Sequence, residues 1–394
     1  MNAAPTPSAV VPRQPTERIL VLDALRGFAV LGILIVDIPG FASPAGLPGY
    51  APPPAMAWHD SRLEDLVSIL AAGKFYTIFS FLFGLGFSLQ LARAESAGID
   101  VRTFYPRRLL VLLGFGMVHA VFLWTADILR LYAVLGFVLL AFRQRSDRSL
   151  LISGTLCLLL RFAVAVVGQV SGARGTGGIP GVDVVGLARA AYHSSSYLDV
   201  LYFQALCAPA SFVMNLLIRG PNVMALFLLG LLIGRSRHLV RLTRDRAMLQ
   251  RTFTISLLVG LAGSILVRLT RNPWLVGLGI TVGTPGLAAS YMSGLAWLAL
   301  NPRGGAVLTP LISVGRMALS NYLLQSIICS LLFGGFGFGL YEKVDQAGLM
   351  GIAALIYLAQ VQLSVWWLQR FEFGPAEWLW RWLVYGRWWR RTER

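Results

Sequence analysis

An apolar run near the amino terminus has the sequence LVLDALRGFAVLGILIVDIPGF, residues 20–41. A helix needs about twenty apolar residues to cross a bilayer, so this run is long enough to span one. Similar runs recur at 66–91, 109–124, 129–142, 150–170, 222–234, 253–269, 275–300, 311–333 and 349–368. The sequence therefore predicts an all-α fold, a polytopic transmembrane helical bundle of about ten to eleven spans.

The composition favours a membrane protein over a soluble one. Of the 394 residues, 56% are hydrophobic and 13% are charged, whereas a soluble domain carries about a quarter charged residues. The net charge of +16 does not indicate nucleic-acid binding, because no basic domain stands free of the apolar runs. We therefore expect no nucleic-acid partner. The three cysteines and four histidines show no metal-ligand spacing, so we also expect no metal.

The distribution of arginine predicts the topology. Basic linkers stay on the cytoplasmic side of a membrane, and arginines cluster in alternate linkers, as at 93–108, 143–148 and 235–251. An opposite linker, 171–183, is rich in glycine instead. This alternation predicts an even number of spans, both termini in the cytoplasm, and a multi-pass location in the cytoplasmic (inner or plasma) membrane.

Three segments complete the predicted organisation around a bundle that covers residues 19–371. Residues 1–18 are rich in Pro, Ala and Thr and are expected to form a disordered tail. Residues 190–217 mix polar with apolar side chains, which predicts an external amphipathic or re-entrant segment. Residues 372–394 are basic and rich in Trp, which predicts an interfacial C-terminal helix at the inner face.

Ionisable residues inside membrane spans are costly and are therefore functional candidates. The inner group comprises Asp23, Arg26, Arg316, Glu372 and Glu377. Asp23 and Arg26 are three residues apart, so they share a helix face and can pair. Two interpretations stay open: a salt bridge that extends to the interface, or a basic mouth whose arginines hold the phosphates of a cytosolic cofactor.

The outer group comprises Asp37, Lys74, His119, Asp127 and Arg130. His119 precedes Asp127 by about two helical turns, and a nearby carboxylate would fix its tautomer and stabilise its charged form. A hydrogen-bonded core histidine is the alternative. Because lipid would not tolerate these groups, we expect His119 to face the bundle interior within reach of Lys74 or Asp127.

Several strings resemble the YeiB-like membrane family, also called domain of unknown function 418. They are LDALRGF at 22–28, GKF at 73–75 with FSFLFGLG at 79–86, GMVHA at 116–120, DIL at 127–129, GRMALSNY at 315–322 and FGPAEWLWR at 373–381. These strings follow one another in order along most of the chain. In GRMALSNY, Asn321 and Tyr322 are also expected to hydrogen-bond to a neighbouring helix.

That family is grouped with transmembrane acyltransferases, which include the lysosomal heparan-α-glucosaminide N-acetyltransferase. The resemblance implies a bundle that takes an acyl group from cytosolic acyl-CoA, with acetyl-CoA as the expected donor. The acceptor would be a small molecule or a glycan, reached across or within the membrane. The working histidine of that enzyme aligns with Ala55 here. His119, or His59 from a shifted site, would therefore carry the chemistry.

The acyltransferase hypothesis assigns a role to each candidate residue. His119 is the general base, Asp127 orients it, and Lys74 stabilises the developing oxyanion. The cofactor-binding set at the inner mouth is Asp23, Arg26, Arg316, Asn321 and Glu377. The alternative function is a transporter or exporter that uses the buried charges as a proton relay. Membrane lipid is an expected partner, and a homodimer remains an open alternative to a monomer.

Overall fold

A computed structural model describes residues 20–47, 50, 61–98, 100–171, 182–235 and 245–386. Within these ranges the chain is helical and contains no strand. The helices are α1 (Leu20–Ala42), α2 (Ser61–Leu70), α3 (Lys74–Ser96), α4 (Val101–Phe122), α5 (Leu129–Ala141), α6 (Asp147–Val170), α7 (Val184–His193), α8 (Tyr197–Ile218), α9 (Gly220–Arg235), α10 (Arg246–Leu269), α11 (Pro273–Leu278), α12 (Thr284–Ala299), α13 (Pro302–Arg316), α14 (Ala318–Phe333), α15 (Gln346–Leu368) and α16 (Pro375–Tyr385). The tail predicted at 1–18 and the alternative histidine, His59, lie outside the described residues.

The described residues contain six helical segments that are long and apolar enough to cross a membrane. They are Arg62–Ser96, Asp147–Val170, Tyr197–Ile218, Arg246–Leu269, Pro273–Ala299 and Gln346–Leu368. Helices α13 and α14 are bent by 74° and would form a seventh span if they are counted together. The chain is therefore a helical membrane protein. The predicted total of ten to eleven spans and the cytoplasmic termini remain predictions.

The region predicted as one amphipathic or re-entrant segment, residues 190–217, contains the end of α7 and most of α8. Helix α8 has 22 residues and is one of the candidate spans. Two of its polar side chains donate hydrogen bonds to the linker between α4 and α5: Gln204 to the Leu123 carbonyl at 3.2 Å and Ser211 to the Thr125 carbonyl at 2.7 Å. These polar residues therefore serve helix packing, while the depth of α8 in the membrane stays a prediction.

The run predicted as one span at 311–333 is broken instead. Helix α13 ends at Arg316 and α14 begins at Ala318, with Met317 at φ −112° and ψ 31° between them. Helix α1 packs closely against α13, because a Cβ at Gly315 would overlap the Asp23 carbonyl oxygen and a Cβ at Gly27 would overlap that of Leu311. This close approach brings the inner-group residues of α1 and α13 together.

The segment predicted as a C-terminal interfacial helix contains α16, Pro375–Tyr385, and residues 387–394 lie outside the described part. Its place at the membrane interface remains a prediction. Arginines at the start of α4 hold it in place. Arg107 donates to the Leu383 carbonyl at 2.9 Å, and Arg108 donates to the Tyr385 hydroxyl at 2.8 Å. Helix α16 thereby closes one side of a cavity whose lining includes its residues Glu377, Trp380, Arg381 and Tyr385.

Candidate functional site

Among the residues that the structure describes, two cavities lie within the bundle. The Arg26 cavity has a volume of about 480 Å³, and the Lys74 cavity has a volume of about 320 Å³. Three residues line both of them, namely Ile33, Ile128 and Tyr322. These three side chains therefore form a partition between the two cavities.

The cavities follow one another along the helix axes. On α1, residues from Leu22 to Ile33 line the Arg26 cavity, whereas Ile33, Val36 and Asp37 line the Lys74 cavity. Helix α3 runs the opposite way, since its first residues line the Lys74 cavity and later ones, as far as Arg93, line the Arg26 cavity. Asp23 and Asp37 are about 21 Å apart in helix rise. Four residues of the inner group, Asp23, Arg26, Arg316 and Glu377, thus line the Arg26 cavity, whereas only Asp37 and Lys74 of the outer group line the Lys74 cavity.

The Arg26 cavity is rich in arginine. Its lining contains Arg26, Arg93, Arg108, Arg316 and Arg381, together with the acids Asp23 and Glu377. Nη1 of Arg26 lies 2.7 Å from Oδ1 of Asp23, which is the ion pair expected from their spacing. The Arg316 guanidinium donates to the Glu372 carbonyl at 3.1 Å, and Arg108 stacks over Trp380 at 4.2 Å. Guanidinium groups in this number can hold several phosphate oxygens.

Glu377 lies at the edge of this cavity with its carboxylate directed at the start of α14. Its Oε1 accepts hydrogen bonds from the backbone N–H of Leu319 at 2.7 Å and of Ser320 at 3.1 Å. Its Oε2 accepts the Ser320 hydroxyl at 2.5 Å. Burial raises the pKa of Glu377, although these hydrogen bonds favour its charged form. The side chain placed in the cofactor-binding set therefore caps the N-terminus of α14.

His119 lies in a fully buried polar contact between α4, the following linker and α14. Its Nδ1 is 3.0 Å from Oδ2 of Asp127, close enough for an ion pair but not aligned for a hydrogen bond. Its Nε2 is 2.8 Å from Oγ of Ser326. The structure thus places His119 within reach of Asp127, as the sequence predicts, and adds a serine on the other side of the ring.

Asp127 is held in place by the backbone and by Arg130. Its Oδ1 accepts the backbone N–H of Arg130 at 2.8 Å, and the Arg130 guanidinium donates to the carbonyls of Thr125 at 2.9 Å and Ala208 at 3.0 Å. A Cβ at Gly116 would come within 2.8 Å of the Asp127 carboxylate. Gly116, in the string GMVHA, therefore lets this turn lie directly against α4.

Tyr322 lies between this buried histidine and both cavities. The rings of His119 and Tyr322 have centroids 4.7 Å apart, and Tyr322 lines both cavities. His119, Asp127 and Ser326 are absent from the described linings of both. A ligand in either cavity would therefore reach the imidazole only if Tyr322 moved aside.

Lys74 makes no hydrogen bond to His119 among the described residues, and its predicted oxyanion role remains a prediction. Its Nζ donates to the Ser68 carbonyl at 2.9 Å, and it lines the cavity named after it. Gly73 reaches a φ of 84° immediately before it, a left-handed conformation that favours glycine. The string GKF therefore forms the turn that directs a lysine into this cavity, and the partition separates that cavity from the Arg26 cavity.

Asn321 lies outside both described linings. Its side-chain amide donates to the Val314 carbonyl at 3.2 Å and to the Ser364 hydroxyl at 3.0 Å. The predicted hydrogen bond to a neighbouring helix is present, because Ser364 is on α15. The role of Asn321 in cofactor binding has no support from this position, since packing between helices already uses its donors.

Three residues that the structure brings to these sites were not predicted from the sequence. Arg161 on α6 and Arg219 at the end of α8 both line the Lys74 cavity. Arg161 interrupts an apolar run, so the rule on charges within spans could have found it. Ser326 gives no such signal, because serine is common in membrane helices. In the part of the chain that the structure describes, no group of three or more His, Cys, Asp or Glu could hold a metal ion.

The fold and these sites define a helical membrane protein whose described part contains two cavities with charged side chains in their linings. A family described as "Protein of unknown function (DUF418)" matches residues 233–387. The chain is 33% identical to "Uncharacterized protein YxaH" of Bacillus subtilis (strain 168), over 97% of this chain and 98% of that protein. It is 29% identical to "Uncharacterized protein YeiB" of Escherichia coli (strain K12), over 93% and 96% respectively. The chain therefore belongs to the YeiB-like DUF418 family, as its strings predicted.

Proposed function

We propose that this protein is an integral-membrane acyltransferase that takes its acyl group from acyl-CoA. The observation that carries this proposal is the pair of cavities, each with charged side chains in its lining, that are separated by Ile33, Ile128 and Tyr322, with His119 against the last of these. A donor in one cavity and an acceptor in the other would meet at that partition. The resemblance to transmembrane acyltransferases supports the same reaction.

The Arg26 cavity is the proposed donor site. Arg26, Arg108 and Arg316 would bind the phosphates of acyl-CoA, since guanidinium groups form paired hydrogen bonds with phosphate oxygens. The apolar wall formed by Phe79, Leu82 and Phe83 would hold the acyl thioester and direct it toward the partition. The Lys74 cavity is the proposed acceptor site.

His119 is the proposed general base. With Tyr322 displaced, Nε2 of His119 would take the proton of an acceptor hydroxyl or amine. At the same time the oxygen or nitrogen of that acceptor group would attack the thioester carbonyl. The bond to sulfur would then break, and the leaving CoA thiolate would regain a proton from the imidazolium. The Asp127 carboxylate, 3.0 Å from Nδ1, would stabilise the positive charge on the ring between these two steps.

A transporter is the second candidate, and the same partition favours it. The two cavities follow one another along the helices, and three side chains separate them. A transporter needs such an arrangement so that its substrate site can open to one side of the membrane and then to the other. The buried pair His119 and Asp127 could then carry a proton. Proton-coupled uptake of a substrate into sealed vesicles, with no acyl-CoA binding, would favour this function.

Binding of acetyl-CoA to the purified full-length protein in detergent tests the donor site. We expect the parent protein to bind and Arg26→Gln to bind about tenfold to a hundredfold more weakly, because one charge-assisted contact is lost. Arg102→Gln is the matched control, since Arg102 is an exposed arginine at the start of α4. Equal weakening by both variants, or no binding by the parent protein, would contradict the proposal.

A further inference from the structure

The Lys74 cavity has an imbalance of charge. Its described lining contains three cations, Lys74, Arg161 and Arg219, and one acid, Asp37. These residues come from four different helices or their ends, so the helical packing itself gathers them. With Asp37 ionised, the cavity keeps two surplus positive charges.

Other groups of the protein neutralise these positive charges only in part. Lys74 uses one of its three donors on the Ser68 carbonyl at 2.9 Å. Arg219 lies 5.7 Å from the centre of the Tyr76 ring, and Asp37 interacts electrostatically with it. Among the described residues, Arg161 has no ion pair and no hydrogen bond. An uncompensated cation within a membrane span is costly, so an anion is expected at this position.

A second, independent observation concerns Ser264 on α10. This residue lines the cavity and is 6% exposed, and its hydroxyl has no hydrogen-bond partner among the described residues. A buried hydroxyl without a partner is rare, because it loses its hydrogen bonds to water. It is therefore a free donor for an oxygen atom inside the cavity.

We propose that the Lys74 cavity binds a phosphate group carried by a small polar ligand. Two surplus charges match the dianion of a phosphate monoester, two guanidinium groups suit its oxygens, and lysine adds a point charge. The volume of about 320 Å³ accommodates such a group with a short alcohol. The phosphate site stands on its own geometry, whereas its role as the acceptor site rests on the proposed function.

A phosphorylated ligand could be a lipid headgroup or a soluble phosphate ester. Two probes separate these sources: glycerol 3-phosphate, and a short-chain phosphatidic acid, both added to the full-length protein in dodecyl maltoside. Glycerol serves as the uncharged control. A lipid probe that binds at least tenfold tighter than glycerol 3-phosphate assigns the site to lipid headgroups, and similar affinities assign it to the soluble ester.

Calorimetric titration of these probes tests the site itself. We expect Arg161→Gln and Arg219→Gln each to weaken phosphate binding about tenfold to a hundredfold. Arg161→Lys and Arg219→Lys keep the positive charge and should weaken binding less than the glutamine variants do. Arg148→Gln is the matched control, because Arg148 is an exposed arginine on the same helix as Arg161.

Three results of these titrations would contradict a phosphate site in the Lys74 cavity. The proposal is overturned if neither probe binds, if binding survives both glutamine variants, or if Arg26→Gln removes it instead. Acetyl-CoA binding is measured on the same preparations. Phosphate binding without acetyl-CoA binding would contradict the proposed acyltransferase and leave this site intact, whereas the reverse result would remove the site and leave the donor cavity.

Discussion

The phenol ring of Tyr322 lies against the imidazole of His119, with ring centroids 4.7 Å apart. Tyr322 lines both cavities, while His119 has no exposed surface. One side chain therefore separates a buried titratable group from two spaces large enough for ligands. This relationship decides which of the proposed steps need the protein to move.

Removal of the Tyr322 ring should open this separation. We expect Tyr322→Ala to join the two cavities and to increase the rate at which diethyl pyrocarbonate modifies His119 at least tenfold, as measured by mass spectrometry. The loss of a buried aromatic ring should also destabilise the fold by about 3–5 kcal/mol. Tyr202→Ala is the control, since Tyr202 is 72% exposed. Equal modification of His119 in both variants would contradict the partition.

Close packing of α1 against α13 should make Gly315 intolerant of a side chain. In Gly315→Ala the new methyl group would overlap the Asp23 carbonyl oxygen, and overpacking of this kind costs about 1–3 kcal/mol. Gly305→Ala, on the same helix, meets no atom within 4 Å and should leave stability unchanged or slightly higher. The melting temperatures of the two variants in detergent make the comparison. Similar values for both would show that the helices can separate freely.

Glu377 should give stability a specific pH dependence. Burial raises its pKa above the ordinary 4.5, so the folded protein binds this proton more tightly than the unfolded chain. The associated stability is complete below pH 4.5 and is lost as the pH rises through the raised pKa. Glu377→Gln cannot titrate, so it should not lose this stability. The melting temperature of the variant minus that of the parent should therefore increase as the pH rises from 4.5 through the raised pKa. Glu95→Gln, at an exposed position, should show no such trend, and a flat difference for Glu377→Gln would refute the assignment.

The predicted topology can be tested in a cysteine-free background. We expect an impermeant maleimide to label Thr176→Cys from outside the cell and to leave Arg145→Cys unlabelled, because basic linkers stay in the cytoplasm. Labelling both positions after permeabilisation shows that each is reactive. The opposite pattern in intact cells would invert the bundle and exchange the proposed sides of donor and acceptor.

The parts of the fold that sequence could predict are those set by local pattern. Apolar runs located the helices, and the cost of charge in lipid pointed to His119 and Asp127, which lie 3.0 Å apart. The break at Met317 was missed, because Gly-Arg-Met-Ala has no helix-breaking proline. Glu377 owes its role as a cap to that break, so its contact with the start of α14 was unpredictable as well.

The rest depends on tertiary packing that no local spacing encodes. Ser326 meets His119 across 207 positions of sequence, and Lys74, which follows Gly73 with its φ of 84°, donates to the Ser68 carbonyl and lines the Lys74 cavity. Arg161 could have been found, since a charge within an apolar run is a signal by itself. The cavity that it faces follows only from how α6 packs in the bundle.

Binding and transfer measured in one His119→Ala preparation test whether donor binding and acyl transfer depend on different residues. Native membranes carrying the variant would be supplied with radiolabelled acetyl-CoA, and both bound label and label transferred to membrane components would be counted. We expect nearly intact binding and loss of transfer, whereas Arg26→Ala and Arg316→Ala should each weaken binding by about 1.5–3 kcal/mol. Two results would contradict separate roles for these residues. One is that His119→Ala loses acetyl-CoA binding as completely as the arginine variants do, and the other is that the parent protein does not bind acetyl-CoA.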